Sequence, residues 1–262
     1  MMGLMDGKKA LVMGVANQRS LAWGIAQALH REGAQLAFSY VPDDRMKRNL
    51  DKLVAGLEGA EDAPCIPCDV QDSEQVEALF KEIGAVWGSL DVFVHSISFA
   101  NREEITGRYS EISREGFALA QDVNTYSLIE CSRHAAPLMQ QAGGGSIITM
   151  TFLASERVVP NYAVMSAAKA SLESSVRYLA ADLGPENIRV NAISAGPMRT
   201  IAASAVRGIM DLREMMEERA PLRRNITLEE VGNVGLFLAS DLSSPVTGQA
   251  IFADCGFNIT AM

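Results

Sequence analysis

Short apolar runs alternate with longer amphipathic stretches along almost all of this 262-residue chain. The apolar runs are typical of buried strands, which are predicted at 10–12, 35–40, 63–68, 92–96, 147–151, 189–194 and 249–253. Helices are predicted between them, at 21–31, 44–57, 73–86, 114–141, 162–183 and 228–239. Alternating strands and helices are the sequence form of a parallel sheet. The pattern therefore predicts an α/β fold with a doubly wound parallel sheet and helices on both faces.

Composition and the ends of the chain bound the remaining possibilities. We find no linker, low-complexity segment or internal repeat, so residues 1–262 are predicted to form one domain. The first residues lack the apolar core of a signal peptide, and no apolar run is long enough to cross a bilayer. We therefore expect a cytoplasmic protein without a membrane partner. The net charge of −9 argues against nucleic acid as the main partner.

The cysteines and histidines do not suggest a redox or metal site. Four cysteines are too few for a disulfide scaffold. Cys65 and Cys68 have the spacing of a redox motif, but they stand in a short apolar run, where two packed strand thiols are expected. The histidines show no metal-ligand spacing with one another or with the cysteines, so no metal is expected.

The turn after the first strand has features of a dinucleotide site. Gly14 ends the strand and allows a tight turn, and Ser20 is placed to cap the next helix. The amino end of that helix, at Leu21, offers free N–H groups and partial positive charge to a pyrophosphate. Gly24 would let the helix lie close to the strand. Since the usual G-x-G-x-x-G spacing is absent, a glycine turn without a ligand stays open as an alternative.

Three later strands are followed by further candidate segments. Asp69-Val70 follows the third strand, where a carboxylate can accept a hydrogen bond from an adenine amino group. Residues 96–100 follow the fourth strand, beside the expected nicotinamide ribose, and 195–200 follow the sixth, where a Gly-Pro turn can cover a nicotinamide. The carboxyl ends of parallel strands share one edge of a sheet. Together the segments predict a Rossmann-type cofactor cleft.

Tyr162 and Lys169 stand seven residues apart at the start of the helix predicted at 162–183. Seven residues is close to two helical turns, so both side chains emerge on one face. A phenol can then stand near a reacting oxygen while an ammonium group lowers the pKa of the phenol and holds a ribose. Such a pair alone is more often a core contact and a solvated charge. Only the cleft predicted in front of it favours a catalytic role.

At these residues the chain resembles the enoyl-acyl carrier protein reductases of bacterial fatty-acid synthesis, a divergent branch of the short-chain dehydrogenases and reductases. The resemblance runs nearly from end to end. Its most specific parts are Gly14-x5-Ser20, Val94-His95-Ser96-Ile97, Pro160-Asn161-Tyr162-x2-Met165-x3-Lys169, residues 189–200 and Pro221-Leu222-Arg223-Arg224. Ordinary short-chain dehydrogenases carry Tyr-x3-Lys. Here Met165 takes the place of that tyrosine, and Tyr162 stands about one turn earlier.

The resemblance implies reduction of a trans-2-enoyl thioester bound to acyl carrier protein, by hydride from NADH or NADPH, in a homotetramer. Tyr162 would stabilise the enolate oxygen, and Lys169 would hold the nicotinamide ribose. The implied cofactor-binding residues are Gly14, Ser20, Leu21, Asp69, Val70, Ile97, Lys169, Met198, Thr200, Ile201 and Ala202. The implied substrate-binding residues are Ala100, Phe152, Tyr162, Met165, Ala202, Val206 and Ile209. A substrate-binding segment is expected at about 198–224, where an amphipathic helix that seals the core is the alternative.

NADH is expected in preference to NADPH. No arginine or lysine stands immediately at the end of the second strand to bind a 2′-phosphate, and Asp43 and Asp44 would repel one. Arg45 is the opposing feature.

Two residues depart from the family pattern. Phe152 stands ten residues before Tyr162, where the family usually has another tyrosine, so the ring is kept and the hydroxyl is lost. Ser98 stands where the family often has glycine, and it is expected to be a packing residue. Phe152 leaves open a catalytically weak dinucleotide-binding protein. A short-chain reductase of another carbonyl or alcohol is the other alternative, against which the Met165 arrangement argues.

Overall fold

Seven strands form one sheet in the computed structural model, which describes residues 3–198, 200 and 209–260 (209–211 as backbone only). They are β1 (Lys9–Met13), β2 (Gln35–Tyr40), β3 (Cys65–Pro67), β4 (Val92–His95), β5 (Gly145–Thr151), β6 (Ile188–Ala195) and β7 (Ala250–Ala253). Their order in space is β3-β2-β1-β4-β5-β6-β7, and every neighbouring pair is parallel. The direction of winding reverses between β1 and β4, which opens a crevice at the carboxyl ends of these two strands.

Helices cover the sheet, and the doubly wound α/β prediction is confirmed. They are α1 (Leu21–Arg31), α2 (Asp44–Val54), α3 (Ser73–Trp87), α4 (Arg102–Thr106), α5 (Arg114–Gln121), α6 (Ser127–Gln141), α7 (Ala163–Leu183), α8 (Ile209–Arg219) and α9 (Leu228–Ala239). The helix predicted at 114–141 is interrupted, because a π-helical segment, Asp122–Tyr126, joins α5 to α6. The sequence does not predict α4, since five residues are too few to display a helical period.

Alternate residues of β1 enter two separate cores, because successive side chains of a strand point to opposite faces of the sheet. Ala10 and Val12 pack in the core that contains α1 and α9, whereas Leu11 and Met13 pack in the core that contains α3 and α6. All four side chains are fully buried. Burial of an apolar side chain the size of valine or leucine stabilises a fold by roughly 1.5–3 kcal/mol. The two cores therefore fix the central strands whose carboxyl ends form the crevice.

Cys65 and Cys68 are free thiols on opposite faces of the sheet, since Cys65 packs against the α1–α9 core and Cys68 belongs to the other. Burial raises the pKa of Cys65 to about 11 and that of Cys68 to about 12. Little reactive thiolate is present at neutral pH in such thiols. The structure thus agrees with the interpretation of packed strand thiols.

Gly24 allows two helices to meet. The prediction that it lets α1 lie close to the strand is wrong, because its close contact is with α9. A Cβ atom at Gly24 would lie 2.6 Å from the carbonyl oxygen of Leu228, at the start of α9. A Cβ at Gly232 would collide with the carbonyl oxygen of Gly24. The backbones of α1 and α9 therefore pack directly on each other at these two glycines, and this crossing holds α1 in place.

Candidate active site

The turn after β1 is constrained by Gly14. Its φ is +95°, in the left-handed region that favours glycine. A Cβ atom here would also collide with the carbonyl oxygen of Ser96, which follows β4. Ser96 donates its amide hydrogen to the carbonyl oxygen of Met13 at 3.2 Å, so the two strand ends are held together. Two features therefore require glycine at position 14, the backbone conformation and the close approach of Ser96.

Ser20 organises the loop before α1, and the prediction that its side chain caps the helix is wrong. Its Oγ accepts hydrogen bonds from the amides of Ala16 at 3.0 Å and Asn17 at 3.1 Å. Within the described ranges, the amides of Leu21 and Ala22 meet no acceptor. Two free N–H groups at the positive end of an 11-residue helix suit an anion. The glycine turn and these amides fit a pyrophosphate.

The other predicted cofactor residues that the structure describes lie at the same edge of the sheet. Asp69 follows β3 and is half-buried, and its Oδ1 accepts from the amide of Gln71 at 3.0 Å, which fixes the carboxylate. Val70 is buried, and Ile97 packs against the α3–α6 core. Met198 packs against the α1–α9 core and accepts, through its carbonyl oxygen, from the amide of Thr200 at 2.9 Å. Three predicted residues, Ile201, Ala202 and Val206, lie outside the described residues, and Ile209 is described by its backbone only.

Four predicted substrate residues come together around the first turn of α7. Ala100 and Met165 are buried in one small apolar cluster, and Tyr162 packs against it. The ring of Phe152 lies against that of Tyr162, with 5.0 Å between centroids and an interplanar angle of 52°. Because Tyr162 and Phe152 are only half-buried, this apolar wall borders accessible space.

The pKa of Tyr162 is raised, whereas the sequence predicts that an ammonium group lowers it. Part of the residue reaches the surface, but its phenol is poorly solvated, and this burial raises its pKa above the ordinary value. Burial disfavours the charged form of a phenol. Tyr162 is therefore a neutral hydrogen-bond donor at neutral pH, which suits stabilisation of a developing oxyanion.

Lys169 is buried at the carboxyl end of β5. Its Nζ donates a hydrogen bond to the carbonyl oxygen of Met150 at 3.0 Å, which leaves two of its three N–H donors for other acceptors. Burial lowers the pKa of Lys169 to about 8, and the charge of Glu173 opposes that shift. Nothing in the sequence pattern marks Glu173 except its position four residues after Lys169, on the same face of the helix.

The π-helical segment links the loop after β4 to α7. Asn124 donates through Nδ2 to the carbonyl oxygen of Phe99 at 2.7 Å, and Thr125 donates through Oγ1 to that of Ala168 at 3.0 Å. The two bonded residues are adjacent to Ala100 and Lys169. The segment therefore holds the loop after β4, the predicted nicotinamide side of the cleft, at a fixed distance from α7. Asn and Thr in mid-helix are the only sequence signal of this bridge.

Comparison with known proteins identifies the family of this chain. A family model described as Enoyl-(Acyl carrier protein) reductase matches residues 14–258, from the Gly14 turn to beyond β7. The chain belongs to the enoyl-acyl carrier protein reductases.

Relatives of this reductase match over nearly their whole lengths. The NADH enoyl-acyl-carrier-protein reductase of Nostoc sp. is 53% identical over 259 residues, which cover 98% of this chain and 99% of the relative. The NADPH enoyl-acyl-carrier-protein reductase of Staphylococcus aureus is 49% identical, with 97% and 98% covered. The crystal structure of the Bacillus cereus enoyl-acyl carrier protein reductase with NADP+ and an indole naphthyridinone has a TM-score of 0.96, 49% identity and full coverage of both chains.

Helix α8 of the reductase seals part of the core. Met216 is fully buried in a cluster with Leu153 and Phe257, and Leu212 and Met215 pack against that cluster. The side chain of Arg213 donates to the carbonyl oxygen of Pro197 at 3.1 Å, which ties α8 to the loop after β6. This part of the 198–224 segment thus packs on the core, and its role in substrate binding stays a prediction.

Proposed function

We infer that the protein reduces the carbon–carbon double bond of trans-2-enoyl thioesters with a nicotinamide cofactor, in fatty-acid elongation. The observation that carries the inference is the meeting of three features at one edge of the sheet. They are the Gly14 turn, the free amides at the start of α1 and the Tyr162–Lys169 pair. Membership of the reductase family supports the same reaction. The substrate is proposed to be carried by acyl carrier protein.

The cleft fits NADH, which supplies the hydride when it is bound. The turn at Gly14, Ser20 and Leu21 would hold its pyrophosphate. Asp69, Val70 and Ile97 would hold the adenosine side, and Lys169 the nicotinamide ribose. We propose that Met198, Thr200, Ile201 and Ala202 lie over the nicotinamide and pyrophosphate, and that the segment 198–224 also contributes Ala202, Val206 and Ile209 to the acyl site.

Tyr162 would act on the substrate carbonyl. Its neutral phenol donates a hydrogen bond to the thioester oxygen, and this bond strengthens as negative charge reaches that oxygen. Ala100, Phe152 and Met165 form an apolar wall around the phenol, which limits competition from water. The geometry thus favours an enolate over a ground-state carbonyl.

The test is oxidation of NADH by the purified protein with crotonyl and longer enoyl thioesters, followed by absorbance. Steady turnover that depends on the enoyl thioester is the expected result. Tight NADH binding without turnover would instead favour a dinucleotide-binding protein. Turnover restricted to carbonyl or alcohol substrates would favour an ordinary short-chain reductase.

NADH should give a higher kcat/KM than NADPH. Asp43 caps α2 by accepting from the amides of Arg45 and Met46, both at 2.9 Å, so its negative charge is held at the end of β2. Asp44 adds a second charge in the first turn. Both would repel a 2′-phosphate.

The cofactor comparison is made at one salt concentration, because exposed charges are screened by salt. Asp44→Asn leaves the Asp43 cap intact and should lower the NADH preference by roughly two- to fivefold. Asp62→Asn is the matched control, because it removes an exposed carboxylate that lies before the amino end of β3. A higher kcat/KM with NADPH would show that Arg45 outweighs both carboxylates.

Phe152→Tyr should change kcat/KM by less than about tenfold, or roughly 1.4 kcal/mol. Phe152 contacts Tyr162 through its ring, so the wall against the phenol is already complete without a hydroxyl. Steady-state kinetics with an enoyl thioester would check this. A nearly inactive parent and a gain of roughly a thousandfold would show instead that the chain has left the family's catalytic task.

We also propose that the protein is a cytoplasmic homotetramer. None of the helices in the described ranges has both the length and the apolar character needed to cross a membrane. Apolar side chains are exposed on α5 and the π segment, at Phe117 and Tyr126, and near the end of α9, at Phe237 and Leu242. A closed tetramer needs at least two contact surfaces, which these groups could supply. Light scattering of the purified protein would measure the mass.

A further inference from the structure

Glu173 is a buried carboxylate on α7, one turn beyond Lys169. It is 9% exposed, and its Oε1 accepts a hydrogen bond from Oγ1 of Thr151 at 2.6 Å. Burial of a carboxylate is costly unless hydrogen bonds or an opposite charge offset it. The apolar helix face on which it lies does not require a carboxylate for packing.

Two residues at the end of β5 form hydrogen bonds with the side chains of Glu173 and Lys169. The carbonyl oxygen of Met150 accepts from Nζ of Lys169 at 3.0 Å, and the next residue, Thr151, binds Glu173. Two consecutive residues of the strand thus fix two side chains that are four residues apart on the helix. Residues four apart lie on one helix face, so the carboxylate can act on the ammonium through space. The ion pairs found among the described residues do not include this pair.

We propose that Glu173, anchored by Thr151, is a positioning residue that keeps Lys169 charged beside the cofactor cleft. The proposal rests on the ribose-binding role proposed above for Lys169. Burial lowers the pKa of Lys169 to about 8, and the carboxylate opposes this shift. Without the carboxylate, a larger share of Lys169 would be neutral near neutral pH and would bind ribose hydroxyls less well.

The charge of Lys169 acts on His95, and neither His95 nor Tyr162 supplies a negative charge. His95 on β4 is fully buried, and burial together with the charge of Lys169 lowers its pKa to about 3, so the ring is neutral. Tyr162 is protonated, because burial raises its pKa.

The remaining charged groups of α7 and of the elements packed against it are exposed or interact with other side chains. They are Arg102, Glu103, Glu104, Arg114, Glu115, Asp122, Glu130, Arg133, His134, Arg177, Asp182, Glu186 and Arg189.

The test is the affinity for NADH, measured by fluorescence from about pH 6 to about pH 10. In the parent, affinity should fall as the pH rises through the pKa of Lys169, because the ammonium is lost. In Glu173→Gln the fall should begin about one pH unit lower, so that the variant binds NADH up to roughly tenfold more weakly than the parent near the parent's pKa. The two curves should converge once Lys169 is neutral in both proteins. Asp182→Asn, which removes an exposed carboxylate from the same helix, should leave the curve unchanged.

A uniform loss of affinity in Glu173→Gln, with the fall at the parent's pH, would overturn the proposal and leave a structural role. Lys169→Ala should lack the fall altogether. Parent-like binding by Lys169→Ala would instead reject the role of Lys169, which is a separate outcome. If circular dichroism shows that Glu173→Gln is unfolded, Thr151→Val tests the proposal in its place. This variant keeps the carboxylate and removes the hydroxyl that donates to it. It should shift the fall in the same direction by a smaller amount, and no shift would overturn the proposal.

Discussion

Tyr162→Phe is expected to lower kcat on an enoyl thioester by roughly 10²–10³-fold while NADH affinity stays close to that of the parent. The phenol is a neutral donor against an apolar wall, and its hydrogen bond strengthens only when charge develops on the carbonyl oxygen. Loss of the donor therefore acts on the transition state and leaves ground-state binding of the cofactor nearly intact. Single-turnover kinetics would separate hydride transfer from product release.

Tyr178→Phe is the matched control for this variant, because Tyr178 lies on the same helix and is 78% exposed. Its kcat should equal that of the parent. An unchanged kcat in Tyr162→Phe, with hydride transfer shown to be rate-limiting, would remove Tyr162 from the mechanism.

Lys169→Ala is expected to weaken NADH binding by roughly 10- to 100-fold, more than Tyr162→Phe does. The variant removes a charged donor whose remaining N–H groups are proposed to bind the ribose in the ground state. Fluorescence titration with NADH compares the affinities of the parent and the two variants at one pH below about 8, where Lys169 of the parent is charged. Equal affinities for the parent and both variants would reject the role given to Lys169.

Lys169→Met separates lost charge from lost packing, because methionine fills most of the same space. The pKa of Lys169 is lowered in the folded state to about 8, so its charged form costs stability below that pH and less as the pH rises toward the unfolded value. The methionine variant should therefore melt no lower than the parent at pH 7, while it loses NADH affinity as the alanine variant does. A folded variant with parent-like NADH affinity would contradict the proposed contact. Lys81→Met, on an exposed part of α3, is the control.

Local patterns in the sequence were sufficient for the architecture. Periods of two and of about 3.6 residues arise from neighbours on the same element, so they place the strands and most helices without knowledge of what lies across from them. The same reasoning puts Tyr162 and Lys169 on one face of α7. Gly14 is also predictable, since it ends an apolar run just before a helix.

Properties that depend on partners distant in sequence needed the tertiary structure. Gly24 meets Leu228 of α9, and Ser20 turns to the amides of its own loop, because packing decides which neighbour is nearest. Burial raises the pKa of Tyr162, whereas the spacing of Tyr162 and Lys169 along the helix predicts a lowered value.

The sequence by itself determined the parallel sheet, the cleft at its carboxyl edge and the placement of Tyr162 and Lys169 on one helix, because each is encoded within one strand, turn or helix. Only the tertiary structure placed the π-helical bridge between the loop after β4 and α7, and the Thr151–Glu173 bond beside Lys169. Both join residues more than 20 positions apart, and their effect depends on exclusion of water. Burial is a property of the assembled core, so no spacing along the chain could specify it.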